Sequence, residues 1–298
     1  MRDVLSLSAA RVDPSLCVEG ITDVARRDDG GSQAYVGDWN GVLVVATPVK
    51  NVTIVSLSQG SKCATMLFHW KQLFHPNVLE FIGVSTGGPY GVDLVSPWME
   101  HGDISTYLRA NPGTPRSPLL VNVVQGLSYL HSRQPLIVHG DLRPSNILIQ
   151  SNGQACLANF GIPGLQAAGK SEDQYQSTAT DGRVLWMAPE QINPLFRGHS
   201  EVVAPEYACD IYSFGLSIYQ IYTGLEPFHE ARNVALWTLL AQIVRDGRRP
   251  QHPGYKGVQG GLQFAMWRVA EDCWKKEPEE RPTSRDLVRR VSEATRGG

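Results

Sequence analysis

The segment from His139 to Gly161 constrains this chain more than any other. It reads His139-Gly140-Asp141-Leu142-Arg143-Pro144-Ser145-Asn146, continues through two short apolar runs, Ile147-Leu148-Ile149 and Ala155-Cys156-Leu157-Ala158, and closes on Asn159-Phe160-Gly161. Apolar runs this short, bounded by Pro, Asn and Gly, read as brief strands rather than helix turns. Polar side chains at fixed spacing therefore alternate with strand-like segments.

The rest of the chain falls into a strand-rich first part and a helical second part. From Ile21 to Lys50 short strands are broken by Gly and Asp. Gly30-Gly31 and Asn40-Gly41 are turn signals, and Asn-Gly marks a hairpin. Leu43-Val44-Val45-Ala46 is a buried-strand candidate. Ser61 to Phe74 reads as a helix with apolar Met66, Leu67, Trp70 and Leu73, and His75-Pro76-Asn77 stops it. Strands follow over Val78–Val84 and Val92–Ser96. Helical patterns then run over Ile104–Arg109 and Leu119–His131, from near Asp210 to Tyr222, and over Leu236–Arg245, Leu262–Trp274 and Asp286–Ala294. Strands first and helices later imply an α+β chain in two lobes. A length of 298 residues suits that arrangement.

Charge narrows the function classes. The formal net charge of −2 gives no electrostatic case for nucleic acid or an anionic membrane surface. Five widely spaced cysteines without a Cys-x-x-Cys pair argue against a disulfide framework or a zinc site and fit a reducing compartment. No apolar run approaches membrane-spanning length. A soluble, cytoplasmic protein is the expectation.

The opening segment resembles the catalytic loop and metal-binding turn of a protein kinase, H-R-D-x-x-x-x-N followed by D-F-G. Gly140 replaces the usual Arg and Asn159 the usual Asp. The resemblance extends over roughly residues 20–292. Met187-Ala188-Pro189-Glu190 looks like the family's A-P-E segment, and Asp210-Ile211-Tyr212-Ser213-Phe214-Gly215 is similar to the start of its central helix. Cys273-Trp274 followed by Arg281-Pro282-Thr283 resembles its C-terminal signature. The implied division is an extension over 1–19, an N-lobe over 20–97, a hinge over 97–102, a C-lobe over 103–292 and a tail over 293–298. Residues 70–79 and 94–100 look like the tyrosine-kinase-like group as expanded in fungi, where HGD in place of HRD is common. Loss of that arginine removes the usual grip on a phosphorylated activation loop. Ser171, Tyr175, Ser177, Thr178 and Thr180 therefore read as ordinary loop residues.

The resemblance implies roles residue by residue. Asp141 is the candidate base, and Arg143 stands in for the catalytic-loop lysine. Asn146 and Asn159 occupy the two metal-ligand places. Asn159 offers only a neutral amide where a hard cation prefers charged oxygen. Leu148 and Met99 belong to the nucleotide site, with Val45 in the place of a small alanine over the adenine. Asp210 is expected to hold the catalytic-loop backbone by charge-assisted hydrogen bonds, and Glu190 to pair with Arg281.

Other parts of the family's phosphate machinery are altered. Anchored on Tyr35 and Trp39, the three loop-glycine places fall on Arg27, Asp29 and Ser32. The β3 lysine place falls on Thr47. Lys50 reads as a solvated lysine at a strand end, although a bulge at Pro48 would turn it inward. The helix glutamate place, nine residues before His75, is Met66, and residues 39–79 contain no Asp or Glu at all. The expectation is a catalytically inactive pseudokinase acting as a binding or scaffold module, with ATP and Mg2+ bound weakly or not at all. The alternatives are a weakly active Ser/Thr-type kinase using Asp141 and Asn146, and an ATP-binding switch without catalysis. Partners would be proteins, an active kinase among the candidates.

Overall fold

A computed structural model describes residues 14–26, 34–50, 52–86, 91–168, 182–196, 206–254 and 264–296. The strands are β1 Thr22–Arg26, β2 Tyr35–Trp39, β3 Val42–Pro48, β4 Gly83–Ser85, β5 Asp93–Pro97, β6 Ile147–Ile149 and β7 Ala155–Leu157. The helices are α1 Lys62–Lys71, α2 Ile104–Ala110, α3 Arg116–His131, α4 Ile162–Ala168, α5 Pro189–Phe196, α6 Tyr207–Thr223, α7 Leu236–Arg245, α8 Phe264–Cys273 and α9 Ser284–Arg296. Two compact units result, Met1–Trp98 with Ile162–Asp173 and Met99–Gly161 with Gln174–Gly298. This is the expected α+β kinase-like class, with an antiparallel sheet in the first unit and helices dominating the second.

The first unit is built on a sheet of order β1-β2-β3-β5-β4, antiparallel throughout. Asn40 and Gly41 turn β2 into β3 with φ of 55° and 81°, the left-handed pair that a two-residue hairpin demands. Asp38 Oδ1 accepts the Gly41 N–H at 2.9 Å and holds that turn. Along β3, Val44 and Ala46 are buried while Val45 and Thr47 are half-buried, so the two pairs point to opposite faces. Val44 packs with Val18 and Val95, flanked by Ile21, Trp39 and Ile82.

Helix α1 begins where Ser61 Oγ accepts the Ala64 N–H at 3.1 Å, and buries Cys63, Ala64, Leu67 and Trp70. It stops at Lys71, short of the expected Phe74, which is 93% exposed. The strand expected over 78–84 is shorter too. Val78, Leu79 and Phe81 are buried but belong to none of the strands, and Trp70 meets the Phe81 ring edge-on at 6.0 Å. An apolar run signals burial, and only the pairing partner decides whether it becomes a strand.

Two boundaries differ from expectation. The chain is already packed at Pro14–Leu16: Leu16 is fully buried and the Val18 N–H donates to Val84 O at 2.8 Å. A Cβ at Gly83 would lie 2.5 Å from Leu16 O, so that approach requires glycine. Helix α4 belongs to the first unit although it lies within the expected C-lobe range. Cys63 Sγ donates to Leu165 O at 3.8 Å, and Met66 Cε lies 3.4 Å from where a Gly164 Cβ would be.

The second unit is organised around α6, whose residues from Ala208 to Tyr219 are all buried. A helix buried all round must satisfy its own polar groups. Ser217 Oγ donates to Ser213 O and Thr223 Oγ1 to Tyr219 O, each at 2.8 Å. Gly224, at φ 71°, ends the helix. The cysteines are free thiols, and burial pushes Cys156 up to about 12. Among the described residues no helix is long and apolar enough to cross a membrane.

A Cβ on Gly215 would sit 2.8 Å from Cys273 Cβ and 3.0 Å from Ala270 O on α8. Gly215→Ala should therefore push α6 and α8 apart and destabilise the protein by about 1–3 kcal/mol. Denaturant unfolding measures this, and an unchanged midpoint would refute the close packing.

Candidate functional site

The second unit assembles the polar segment around one buried carboxylate. Asp210, 1% exposed in the first turn of α6, accepts three contacts. The His139 N–H reaches its Oδ2 and the Gly140 N–H its Oδ1, each at 2.8 Å, and His131 Nε2 lies 2.8 Å from Oδ2. Gly140 has φ 77°, so the missing side chain lets the loop backbone turn toward that carboxylate. His139 is fully buried, and burial pushes its imidazole below the ordinary value against the pull of Asp210 and Asp141. Its Nδ1 accepts the Asp141 N–H at 3.3 Å, which leaves the ring proton on Nε2.

Asp141, the candidate base, is half-buried. Burial raises its carboxyl above the ordinary value, opposed by the charges of Arg143, Arg183 and His139 and by a hydrogen bond from Asn146. Arg143 Nε stands 3.4 Å from Asp141 Oδ1. Asn146 Nδ2 donates to Asp141 O at 2.7 Å and to Asp141 Oδ2 at 2.9 Å. Asn159 follows β7 with φ 59°, and its Nδ2 donates to Asn146 Oδ1 at 2.9 Å. The Gly161 N–H then donates to His139 O at 2.8 Å, so loop and turn are tied at both ends. Asp141, Arg143, Asn146, Asn159 and Asp210 thus form one cluster.

The predicted Glu190–Arg281 pair is present as a two-pronged ion pair, with Nη1–Oε1 at 2.6 Å and Nη2–Oε2 at 2.9 Å. Arg281 also donates to the carbonyls of Lys275, Lys276 and Ala208, which commits all five of its N–H groups. Burial alone would raise the Glu190 carboxyl, but hydrogen bonds and charge from Arg281 outweigh it and hold it below the ordinary value.

The remaining predicted positions are placed as follows. Leu148 pairs with Cys156 in the β6–β7 hairpin and bridges Asp103, and Met99 opens the second unit. In the first unit Val45 pairs with Ser96 and Thr47 with Leu94, while Lys50 is exposed in the turn after β3. Arg27, Asp29 and Ser32, and the activation-loop hydroxyls Ser171 to Thr180, lie outside the described residues.

The fold agrees with what comparison with known proteins finds. A family model described as protein tyrosine and serine/threonine kinase matches residues 47–291. The chain belongs to that kinase family. A receptor-interacting serine/threonine-protein kinase 3 from Rattus norvegicus is 31% identical over 231 residues, covering 72% of this chain and 45% of that protein. The serine/threonine-protein kinase VIK of Arabidopsis thaliana is 29% identical over 74% of this chain and 47% of its own length. The dual specificity protein kinase shkA of Dictyostelium discoideum is 29% identical over 74% of this chain and 40% of its own. The chain spans less than half the length of each of these relatives.

Sequence reasoning missed two residues of this cluster and one bond within it. His131, the last residue of α3, contacts Asp210 across 79 positions of sequence, and no local pattern marks such a contact. Arg183 was legible only as a charge beside the apolar Val184-Leu185-Trp186. The Asn159–Asn146 bond followed from no motif.

Two outcomes are expected. Arg281→Met takes the guanidinium away from the partly buried Glu190 and one donor away from each of three carbonyls, and should cost about 3 kcal/mol in equilibrium unfolding. For Asp141 the sign runs the other way. A carboxyl raised by folding stabilises fully below its unfolded value and loses that contribution as pH rises through the raised one. Asp141→Asn should therefore melt higher than the wild type at pH 7, with the difference shrinking toward pH 4. A lower melting temperature at pH 7 would mean that the Arg143 and Arg183 charges outweigh burial.

Proposed function

We propose that this kinase-family chain has lost phosphoryl transfer and serves as a protein-binding or scaffold module in cytoplasmic signalling. The observation that carries the reading is the Asn159 amide, which occupies the place of the metal-binding carboxylate and is hydrogen-bonded to Asn146, the other expected ligand. Phosphoryl transfer depends on charge placed against the phosphates, by metal ions, a lysine and loop amides. Here the metal-carboxylate place holds the neutral amide of Asn159, the strand-lysine place is Thr47, and residues 39–79 offer no acid to orient a lysine. Each such loss alone slows an enzyme by roughly 10²–10⁴. Such effects are not additive, yet several together bring a rate near background.

Supporting a non-catalytic role is the contrast between site and frame. The Glu190–Arg281 pair and the Asp210 anchor, which hold the fold, are complete. ATP and Mg2+ are the ligands that the family implies, and we expect weak binding or none. The partner would be a protein, an active kinase being the first candidate to test. We further place the chain in the tyrosine-kinase-like group as expanded in fungi, on residues 70–79, 94–100 and Gly140.

A second reading has one observation in its favour. Asp141 retains Arg143 at 3.4 Å and Asn146 at 2.9 Å, a loop arrangement that suits a weak Ser/Thr-type kinase. Titration with ATP to millimolar concentration, with and without Mg2+, separates the two. We expect no Mg2+-dependent rise in melting temperature and no phosphate transfer to a generic Ser/Thr peptide. A Mg2+-dependent rise, together with transfer abolished by Asp141→Asn, would establish the active kinase. The triple variant Thr47→Lys, Met66→Glu and Asn159→Asp should gain ATP binding.

A further inference from the structure

Family resemblance calls for a divalent cation near residues 146 and 159. The donor set does not fit one. Every polar group of Asn146 is already committed. Its N–H donates to Arg143 O at 2.8 Å, and its carbonyl accepts the Ala158 N–H at 2.9 Å. Its Nδ2 donates to Asp141 O and Asp141 Oδ2. A carbonyl and an ionised carboxylate only accept, so these contacts fix which end of the amide is nitrogen. Asn146 Oδ1 must then face Asn159, and Asn159 must meet it with N–H.

We propose that the Asn159 amide takes the place of a cation, tying the metal-binding turn to the catalytic loop by a direct hydrogen bond that needs no ion. An aspartate at 159 would set oxygen against oxygen, a pairing that a shared cation reconciles. The asparagine sets N–H against oxygen and needs nothing between. Its left-handed φ of 59° is one that asparagine adopts more readily than most residues. Among the described residues, no group of three or more His, Cys, Asp or Glu side chains is placed to hold a metal ion.

Asn159 is exposed while Asn146 is 5% exposed, so the bridge governs the local geometry of the loop more than global stability. The reporters are therefore the Ala158 and Gly161 amides, bonded to Asn146 O and His139 O. This inference deepens the non-catalytic reading, but its test does not use activity, so either can fail without the other.

Hydrogen–deuterium exchange on the full chain, followed over 139–161 in EDTA and in millimolar Mn2+, decides it. Wild-type protection should be the same in both. Asn159→Ala and Asn159→Asp should exchange roughly three- to tenfold faster in EDTA, the loss of about one hydrogen bond. Mn2+ should restore protection to Asn159→Asp and leave Asn159→Ala unchanged. Unaltered exchange in Asn159→Ala, added protection of the wild type by Mn2+, or an Asn159→Asp variant indifferent to Mn2+ would each overturn the proposal.

Discussion

One carboxylate in the buried stretch of helix α6 fixes the second unit. Asp210 carries charge into a place where charge is costly, and only direct hydrogen bonds compensate it. Two come from consecutive backbone amides at His139 and Gly140, and His131 lies within bonding distance. The position of α6 thereby sets the loop backbone, and the loop sets Asp141 and Asn146. Asp210 is met by backbone N–H groups at 139 and 140, so these two bonds do not depend on an arginine side chain at position 140.

The frame was legible because its signals are local or strongly patterned. Asn40-Gly41 could only be a tight turn, and helix α7 begins and ends where its periodicity says, at Leu236 and Arg245. Glu190 and Arg281 lie 91 residues apart, yet family resemblance paired them and their geometry agrees. Legibility failed where burial and hydrogen bonding part company. Val78, Leu79 and Phe81 are apolar and buried but lie outside the named strands. Pro14 to Val18 show no pattern, yet they pack against β4 because Gly83 lets the chain approach.

The candidate site was legible as a set of positions and not as a network. Sequence assigned Asn146 and Asn159 separate places as ligands of an ion. Their direct bond is a matter of which end of each amide faces the other, and Asp141 decides it from five residues away. Residue type alone gave the charge lost at 159. It could not give the hydrogen bond gained.

The path of the chain through the two units has a consequence for dissecting this protein. It leaves the first unit after Trp98 and returns at Ile162, where α4 buries Leu165 and accepts the Cys63 thiol. Neither unit is a continuous stretch of polypeptide. A cut between Trp98 and Met99 would deprive the sheet unit of a helix supplied from beyond the catalytic loop. The first unit is complete only after the ribosome has passed Gly161, by which time most of its sheet has long been available.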